Sequence, residues 1–309
     1  MKVVYGISTL EKTLMKESTV TVGTFDGVHK GHIILLQRLK EAAAEFGTPS
    51  VVVTFDPHPQ MVLGTRGRTE ILTTTEEKLE HLEQLDIDEV VVLEFNQQLA
   101  SLEAEEFIKR ILVEDLKMKH FVVGYDHCFG KGRAGNFELV EANADKYDYT
   151  CEIVKPVMNG GGPVKSSRIR RELKEGDYDQ AIKMLGYPYY ITGEVVRGRG
   201  IGKQLGFPTI NLNVPSGKLL PKAGVYASRV VVDDLNIPGM AYIGGRLTFN
   251  DETITVEVNL FGFEEDLAGK TVRMVLEQYT REPKKFDTTD ELKKALAEDE
   301  KQVKKILHI

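Results

Sequence analysis

The stretch STVTVGTFDGVHKGHIILLQRLKEAAAEFG, residues 18–47, decides the fold. Its first eight residues, 18–25, are rich in β-branched and apolar types and read as a strand. Residues 32–47 carry helical spacing, and Gly47 suits the left-handed residue that ends a helix. Between strand and helix lies GTFDGVHKGH, Gly23–His32, with three glycines, two histidines and one aspartate.

The same rhythm continues to about residue 150. SVVVTF (50–55), EVVVLEF (89–95) and HFVVGYD (120–126) read as strands that are apolar on both sides, as in a parallel sheet covered on both faces. TEEKLEHLEQL (75–85) and SLEAEEFIKRILVEDL (101–116) read as the helices between them. Alternation of this kind is a doubly wound α/β domain. YTCEIVKP (149–156) adds a strand, and GGG at 160–162 reads as a turn. SSRIRRELKEGDYDQAIKMLG (166–186) reads as helical with a break near Gly176. Beyond Gly186 short strands follow one another with turn residues and no helical pattern between them, which suggests an antiparallel sandwich or small β-barrel. One terminal helix runs from about 288 to 307, with Thr288 and Glu291 in capping-box spacing. The expected domains are residues 1–186 and 187–309.

Bulk properties narrow the function. A chain of 309 residues is comfortable for two cores. Its formal net charge of −7 provides no global field for nucleic acid or an acidic membrane, so neither is expected as a partner. A polyanionic substrate would need local cations or a bound metal. Cys128 and Cys151 make neither a CxxC pair nor a zinc spacing, and such sparse usage fits a reducing compartment better than a disulfide. The first 17 residues lack an apolar signal core, and no run approaches ~18 apolar residues. A cytoplasmic protein is expected; oligomeric state is left open.

In an open α/β sheet, ligands sit beyond the carboxyl ends of the strands, where GTFDGVHKGH falls. Gly23, Gly27 and Gly31 let backbone approach a ligand. A helix starting near His32 would aim free N–H groups at an anion, with His29 and His32 as further donors. A metal held by the two histidines is a weaker reading, since no third ligand is near in sequence. A turn with incidental surface histidines is the plain alternative.

The H-x-G-H pattern after a first strand resembles the nucleotidyltransferase family, and the longer GTFDGVHKGH resembles the prokaryotic FAD synthetases. VTFDPHP (53–59), VVGYDHCFGKGRAG (122–135) and VKSSRIRREL (164–173) are similar to three further motifs of that family. The resemblance implies that His29 and His32, with Ser166, Ser167 and Arg170, hold the triphosphate of ATP. It implies that Gly23, Phe25 and Gly31 line the ATP site. It places His58 near the flavin and Asp126 near the flavin or nucleotide. Lys165 stands where the family usually has serine. FMN attacks through a phosphate that is already anionic, so this transfer needs positioning and charge stabilisation rather than a general base.

In the second half, VVRGRGIGKQLGFPTINLN (195–213) fails both common phosphate-loop patterns. Gln204 follows Gly202-Lys203 where a Walker motif needs Ser or Thr, and Gly198, Gly200 and Gly202 are spaced by two. What remains is a flexible cationic loop before a strand on which Thr209 and Asn211 share a face. A glycine-rich hairpin with a polar strand is the plain alternative. The pattern G-x-G-K-x-L-G-F-P-T-x-N resembles the riboflavin kinase family, as does the rest of the chain through ITVEVNLFGFEEDLAGK and REPKKFDTTDEL. The resemblance implies a riboflavin kinase-like barrel with Thr209 and Asn211 as ligands of Mg²⁺–ATP and Gly198, Gly202 and Lys203 at the nucleotide. Arg281 would lie at the flavin and Glu257 would be the catalytic carboxylate. A ribityl hydroxyl needs somewhere to send its proton, which a carboxylate supplies.

Tyr242, Leu247, Asn259, Gly262, Ala268 and Pro283 depart from that family's usual residues, chiefly on the flavin side. Lys131 and Arg133 either meet substrate phosphate or coat a loop. His81, His120 and His308 read as surface residues, and Arg168 and Arg171 as a solvated face. Together these resemblances imply a bifunctional enzyme that uses ATP and Mg²⁺ to turn riboflavin into FMN and FMN into FAD. The alternatives are a synthetase with an impaired kinase half and a non-catalytic flavin- or nucleotide-binding regulator.

Overall fold

The computed structural model describes residues 1–6, 17–64, 70–198, 200–246 and 251–309, without the side chains of 246 and 251–253. Leu247 therefore lies outside the described residues. Two compact units form, Met1–Ser166 and Ser167–Ile309.

The first unit is a six-stranded sheet of β1 (Lys2–Tyr5), β2 (Ser18–Val22), β3 (Ser50–Asp56), β4 (Glu89–Glu94), β5 (Met118–Gly124) and β6 (Thr150–Val154). Every pairing is parallel, in the order β1-β4-β3-β2-β5-β6. Alternate residues divide between two cores, as both-face burial requires. Val51, Val53, Val91, Leu93, Phe121 and Val123 join one, and Val52, Val90, Val92 and Val122 the other. Strand order reverses at β2 and β5, the place where such sheets open a ligand crevice. The loops after these two strands carry His29 and Asp126, and the helix that follows the first loop carries His32.

Helix α1 (Lys30–Phe46) packs Leu36, Leu39 and Ala42 on the sheet and ends at Gly47 in the left-handed conformation (φ 65°), as expected. Short helices α2 (Pro59–Leu63), α3 (Thr75–Glu83), α4 (Gln97–Ala100) and α5 (Ala104–Glu106) follow in the crossovers. The 101–116 helix takes π spacing over Phe107–Asp115, with the Leu116 N–H reaching Ile111 O at 3.0 Å. Helices α6 (Phe137–Ala142) and α7 (Ala144–Tyr147) lead into β6. The GGG turn joins the small hairpin β7 (Met158–Asn159) and β8 (Gly162–Pro163), with Gly160 and Gly161 both at positive φ. Both cysteines are free.

One strand was not expected, and one expectation fails. β1, an edge strand beside β4, was not foreseen. His120 is not a surface residue: it is buried on a strand flanked on both sides. Its ring bonds Thr150 Oγ1 (2.7 Å) and Glu152 Oε1 (3.1 Å) and stacks on Phe46.

Helices α8 (Ser166–Glu175) and α9 (Tyr178–Leu185) flank Gly176, which breaks the helix with φ 92°. Within the second unit, Lys222 N–H donates to Leu173 O (2.8 Å) and the Tyr178 hydroxyl donates to Leu276 O, so this helix pair is tied to the barrel. The barrel closes in the order β10-β13-β12-β11-β14-β9, wholly antiparallel. Its strands are β9 (Tyr190–Val196), β10 (Thr209–Asn213), β11 (Gly224–Val232), β12 (Leu235–Arg246), β13 (Asp251–Leu260) and β14 (Thr271–Arg281). The expected flexible loop before β10 contains one helical turn, α10 (Ile201–Leu205), because Gly200 and Gly206 take left-handed conformations at its two ends. The last helix, α11 (Thr289–Ile306), buries Val303 against Val225, Ala227 and Met240. Only half of its expected capping box forms: Thr288 Oγ1 accepts the Glu291 N–H (3.2 Å), but Glu291 Oε2 accepts from Asp287 N–H (3.2 Å).

Candidate functional sites

In the first unit the loop after β2 is tightly fixed. Phe25 and Val28 hold positive φ (48° and 28°), an unfavourable conformation that surrounding contacts must maintain. Phe25 is buried, with its ring under Gly23 and edge-on to His32 at 5.2 Å. The buried His29 precedes α1, and its Nδ1 accepts the His32 N–H at 3.3 Å. In the neutral ring this leaves the proton on Nε2 as a donor. The two imidazoles stack at 3.6 Å. Burial, then His29, then Lys78 push the His32 pKa well below the usual histidine range, and its Nδ1 has no hydrogen-bond partner among the described residues. A side chain at Gly31 would press within 3.2 Å of the His29 ring, so glycine permits the stack.

Asp26, which the sequence reading passed over, ties the site together. Its buried Oδ1 accepts the Leu72 and Thr73 N–H groups (2.7 and 3.1 Å), and its carbonyl accepts the Ser166 hydroxyl (2.9 Å). The Ser166 proton is thus directed at the loop. Exposed Asp126 pairs with Lys165 Nζ at 3.0 Å, so the departure at Lys165 and the expected site carboxylate meet. His58 precedes α2 and its Nδ1 accepts the Gln60 N–H (3.2 Å). Lys131 pairs with Glu103 (2.8 Å) on the surface. Along α8, Ser167 is exposed and Arg170 half-buried. Arg171 is exposed as expected, whereas Arg168 is mostly covered, 3.7 Å from a similarly covered Glu172.

In the barrel, β10 and β13 place Asn211 directly opposite Glu257 and Thr209 opposite Asn259. The Thr209 hydroxyl lies 3.4 Å from Glu257 Oε2, and Thr255, not foreseen, donates to Glu257 Oε1 (3.2 Å). A cavity of about 170 Å³ opens over Glu257, Thr209 and Asn259, with Leu205, Phe207, Met240 and Phe286 among its apolar walls. A side chain at Gly198 would strike Asn211 Nδ2 at 2.3 Å, and one at Gly202 would strike Phe207 O at 2.4 Å. Both glycines are therefore required for close approach over β10. Lys203 is exposed on α10.

Arg281 lines the cavity, but its guanidinium faces Asp299 in a two-pronged pair (Nε–Oδ1 2.7 Å, Nη2–Oδ2 2.6 Å), and Nη1 donates to Glu282 O. Of the departures from the family pattern, Tyr242 and Asn259 line the cavity. Asn259 Nδ2 donates to Pro208 O (2.7 Å), holding the residue before Thr209. Gly262, Ala268 and Pro283 are not among the lining residues.

Residues 11–168 match the family model for FAD synthetase, and residues 185–307 match that for riboflavin kinase. The chain belongs to the bifunctional riboflavin kinase/FMN adenylyltransferase family. Members from Escherichia coli K12 and Pseudomonas fluorescens are 35% and 36% identical, each aligned over 97% of this chain and 96% of the relative. The chain is thus an enzyme of two activities, converting riboflavin to FMN and FMN to FAD, and neither the impaired nor the regulatory alternative is favoured. A solved structure from Streptococcus pneumoniae named as a macrolide-efflux protein is also similar. It is 31% identical, with a TM-score of 0.85 over 98% of this chain and 99% of that one. Efflux is said of that protein; here no described helix is long and apolar enough to cross a membrane.

Proposed function

We propose that each activity has its own site, FMN adenylylation at the β2 and β5 loops and riboflavin phosphorylation in the barrel cavity. One observation carries this reading: the candidate base Glu257 stands on the ladder beside Thr209 and Asn211 in one compact unit, while the stacked histidines stand in the other. As functional domains we propose 1–186 and 187–309. The two family matches leave the α8–α9 segment largely between them.

In the first site His29 donates from Nε2 to the ATP phosphates, and His32, kept neutral, lies against it. Gly23, Phe25 and Gly31 shape the nucleotide pocket, and the family resemblance is the ground for assigning Ser166, Ser167 and Arg170 to the triphosphate. His58 and Asp126 bound the flavin side. The FMN phosphate oxygen attacks the α-phosphorus of ATP. A new P–O bond forms as the bond to pyrophosphate breaks, and no proton must leave the nucleophile. Donors and orientation supply the catalysis.

In the second site Glu257 takes the proton of the ribityl hydroxyl as that oxygen attacks the γ-phosphorus; the new P–O bond forms as the bond from the γ-phosphorus to ADP breaks, and ADP leaves. Thr255 holds the carboxylate by one oxygen, leaving the other toward Thr209 and the cavity. Gly198, Gly202 and Lys203 cover the nucleotide, and Arg281, its charge held by Asp299, forms part of the flavin wall. Among the described residues no group of three or more His, Cys, Asp or Glu side chains suits a metal ion. The oxygen donors Thr209 and Asn211 fit Mg²⁺ that keeps phosphate and water as its other ligands. When bound, Mg²⁺ would neutralise phosphate charge. The enzyme acts on these small molecules in the cytoplasm, without nucleic-acid or membrane partners.

Incubation with riboflavin, ATP and Mg²⁺, followed by chromatography of the flavins, tests the pair of activities. FMN and FAD should both appear. FAD formed only from supplied FMN would remove the barrel's assignment, and no product from either flavin would remove both.

A further inference from the structure

Lys78 has no motif around it, yet the fold buries it beneath the adenylylation loops. It lies on α3 and is only 5% exposed. Its Nζ donates to Thr54 Oγ1 at 2.9 Å and to Phe55 O at 3.3 Å, both at the carboxyl end of β3. The Thr54 hydroxyl in turn donates to Thr24 O (3.3 Å), inside the GTFDGVHKGH loop. The entrance of α3 is stitched to that same loop from its other side. Asp26 receives the Leu72 and Thr73 N–H groups, and Gly27 N–H donates to Thr73 Oγ1 at 2.9 Å. A full capping box between Thr74 and Glu77 fixes the helix start one turn ahead of the lysine.

A lysine is seldom buried so fully, because its ammonium loses water that two neutral acceptors replace incompletely. An apolar residue of similar length would fill the space without that cost. The retained charge therefore points to a task, and the neighbouring ligands would be anions.

We infer that Lys78 is a positioning residue for adenylyl transfer, holding the loop and helix start that bear His29 and His32 and the loop that bears His58, and placing a positive charge beneath the phosphates. The inference rests on the proposed location of the FMN adenylylation site. Lys78 donates no proton in the reaction and need not touch substrate. Its surroundings agree. Burial lowers its pKa to about 8, opposed by Asp26 on the loop, Asp56 at the end of β3 and Glu76 on its own helix. Its charge also helps keep His32 on α1 neutral.

The test compares full-length wild type, Lys78→Met, Lys78→Arg and His32→Ala in FMN-to-FAD and riboflavin-to-FMN assays. Lys78→Met should lower kcat for FAD formation at least ~10-fold, change KM by less than about 3-fold, and leave riboflavin phosphorylation intact. Lys78→Arg should keep about a third or more of the FAD rate. In wild type, kcat/KM for FAD formation should fall as pH rises through about 8, where the lysine loses its proton. With arginine, which keeps its proton, that fall should vanish. If Lys78→Met does not fold, the arginine variant and the two pH profiles decide alone. A Lys78→Met enzyme with wild-type turnover, or the same pH profile in wild type and Lys78→Arg, overturns the inference. Full FAD activity in His32→Ala would instead overturn the site assignment beneath it.

Discussion

A single methyl group added at Gly198 should disable riboflavin phosphorylation while leaving FMN adenylylation untouched. Gly198 has no left-handed backbone requirement, so alanine is compatible with the chain itself. The obstacle is Asn211: a Cβ built at Gly198 lies 2.3 Å from its Nδ2 and 2.8 Å from its Cγ. Ordinary contact begins at 3.4 Å, so the carboxamide must withdraw by about 1 Å. Asn211 sits opposite Glu257 across the β10–β13 ladder, so the withdrawal falls on the group proposed to orient Mg²⁺–ATP beside the proposed base. A displacement of about 1 Å in a positioning group costs on the order of 10²-fold in rate. The assay is chromatographic separation of riboflavin, FMN and FAD after reaction with riboflavin, then separately with FMN. Riboflavin turnover should fall ~10²-fold in Gly198→Ala, with FMN-to-FAD conversion at the wild-type rate. Unchanged riboflavin turnover in a folded variant would refute the role given to Asn211.

Other outcomes follow from the same contacts. Asn259→Ala removes the hydrogen bond that holds Pro208, so KM for ATP in the kinase reaction should rise several-fold while thermal stability changes by only about 1 kcal/mol. Asp299→Asn leaves the half-buried Arg281 without its ion pair, and denaturant unfolding of the barrel unit should show a loss of about 2 kcal/mol, discounted for partial solvation of the arginine. Burial pushes His127 down to about 4 from 6.5. Below pH 6.5 the unfolded chain therefore binds the proton that the folded one refuses, and chemical denaturation should show the first unit losing stability as pH falls from 6.5 toward 4. NMR titration of ligand-free protein should show the His32 ring still neutral at pH 6.

Much of the fold was legible because its signals are local. Two-sided apolar runs announced β2 to β5, and the alternation of Val51, Val52 and Val53 between two cores is the physical content of that pattern. Gly47 and Gly176 ended helices where backbone chemistry allows. What escaped depends on partners distant in sequence. β1 is a strand only because β4 offers it an edge. His120 is buried because Thr150, Glu152 and Phe46 converge on it. In the sites, spacing put Thr209 and Asn211 on one face, Glu257 came only from the family resemblance, and the ladder brings the three together. The Arg281–Asp299 pair, the Thr255 contact and the burial of Lys78 leave no local trace, since each joins residues whose spacing carries no pattern.

The most direct test is a crossed pair of substitutions in the full-length enzyme, Glu257→Gln and His32→Ala, each assayed for both reactions. Glu257→Gln should lower FMN formation by ~10²-fold or more and leave FAD formation from FMN near wild type, with His32→Ala doing the reverse. If either substitution, in a folded protein, abolished both reactions, the two sites would not be independent and the account would fail.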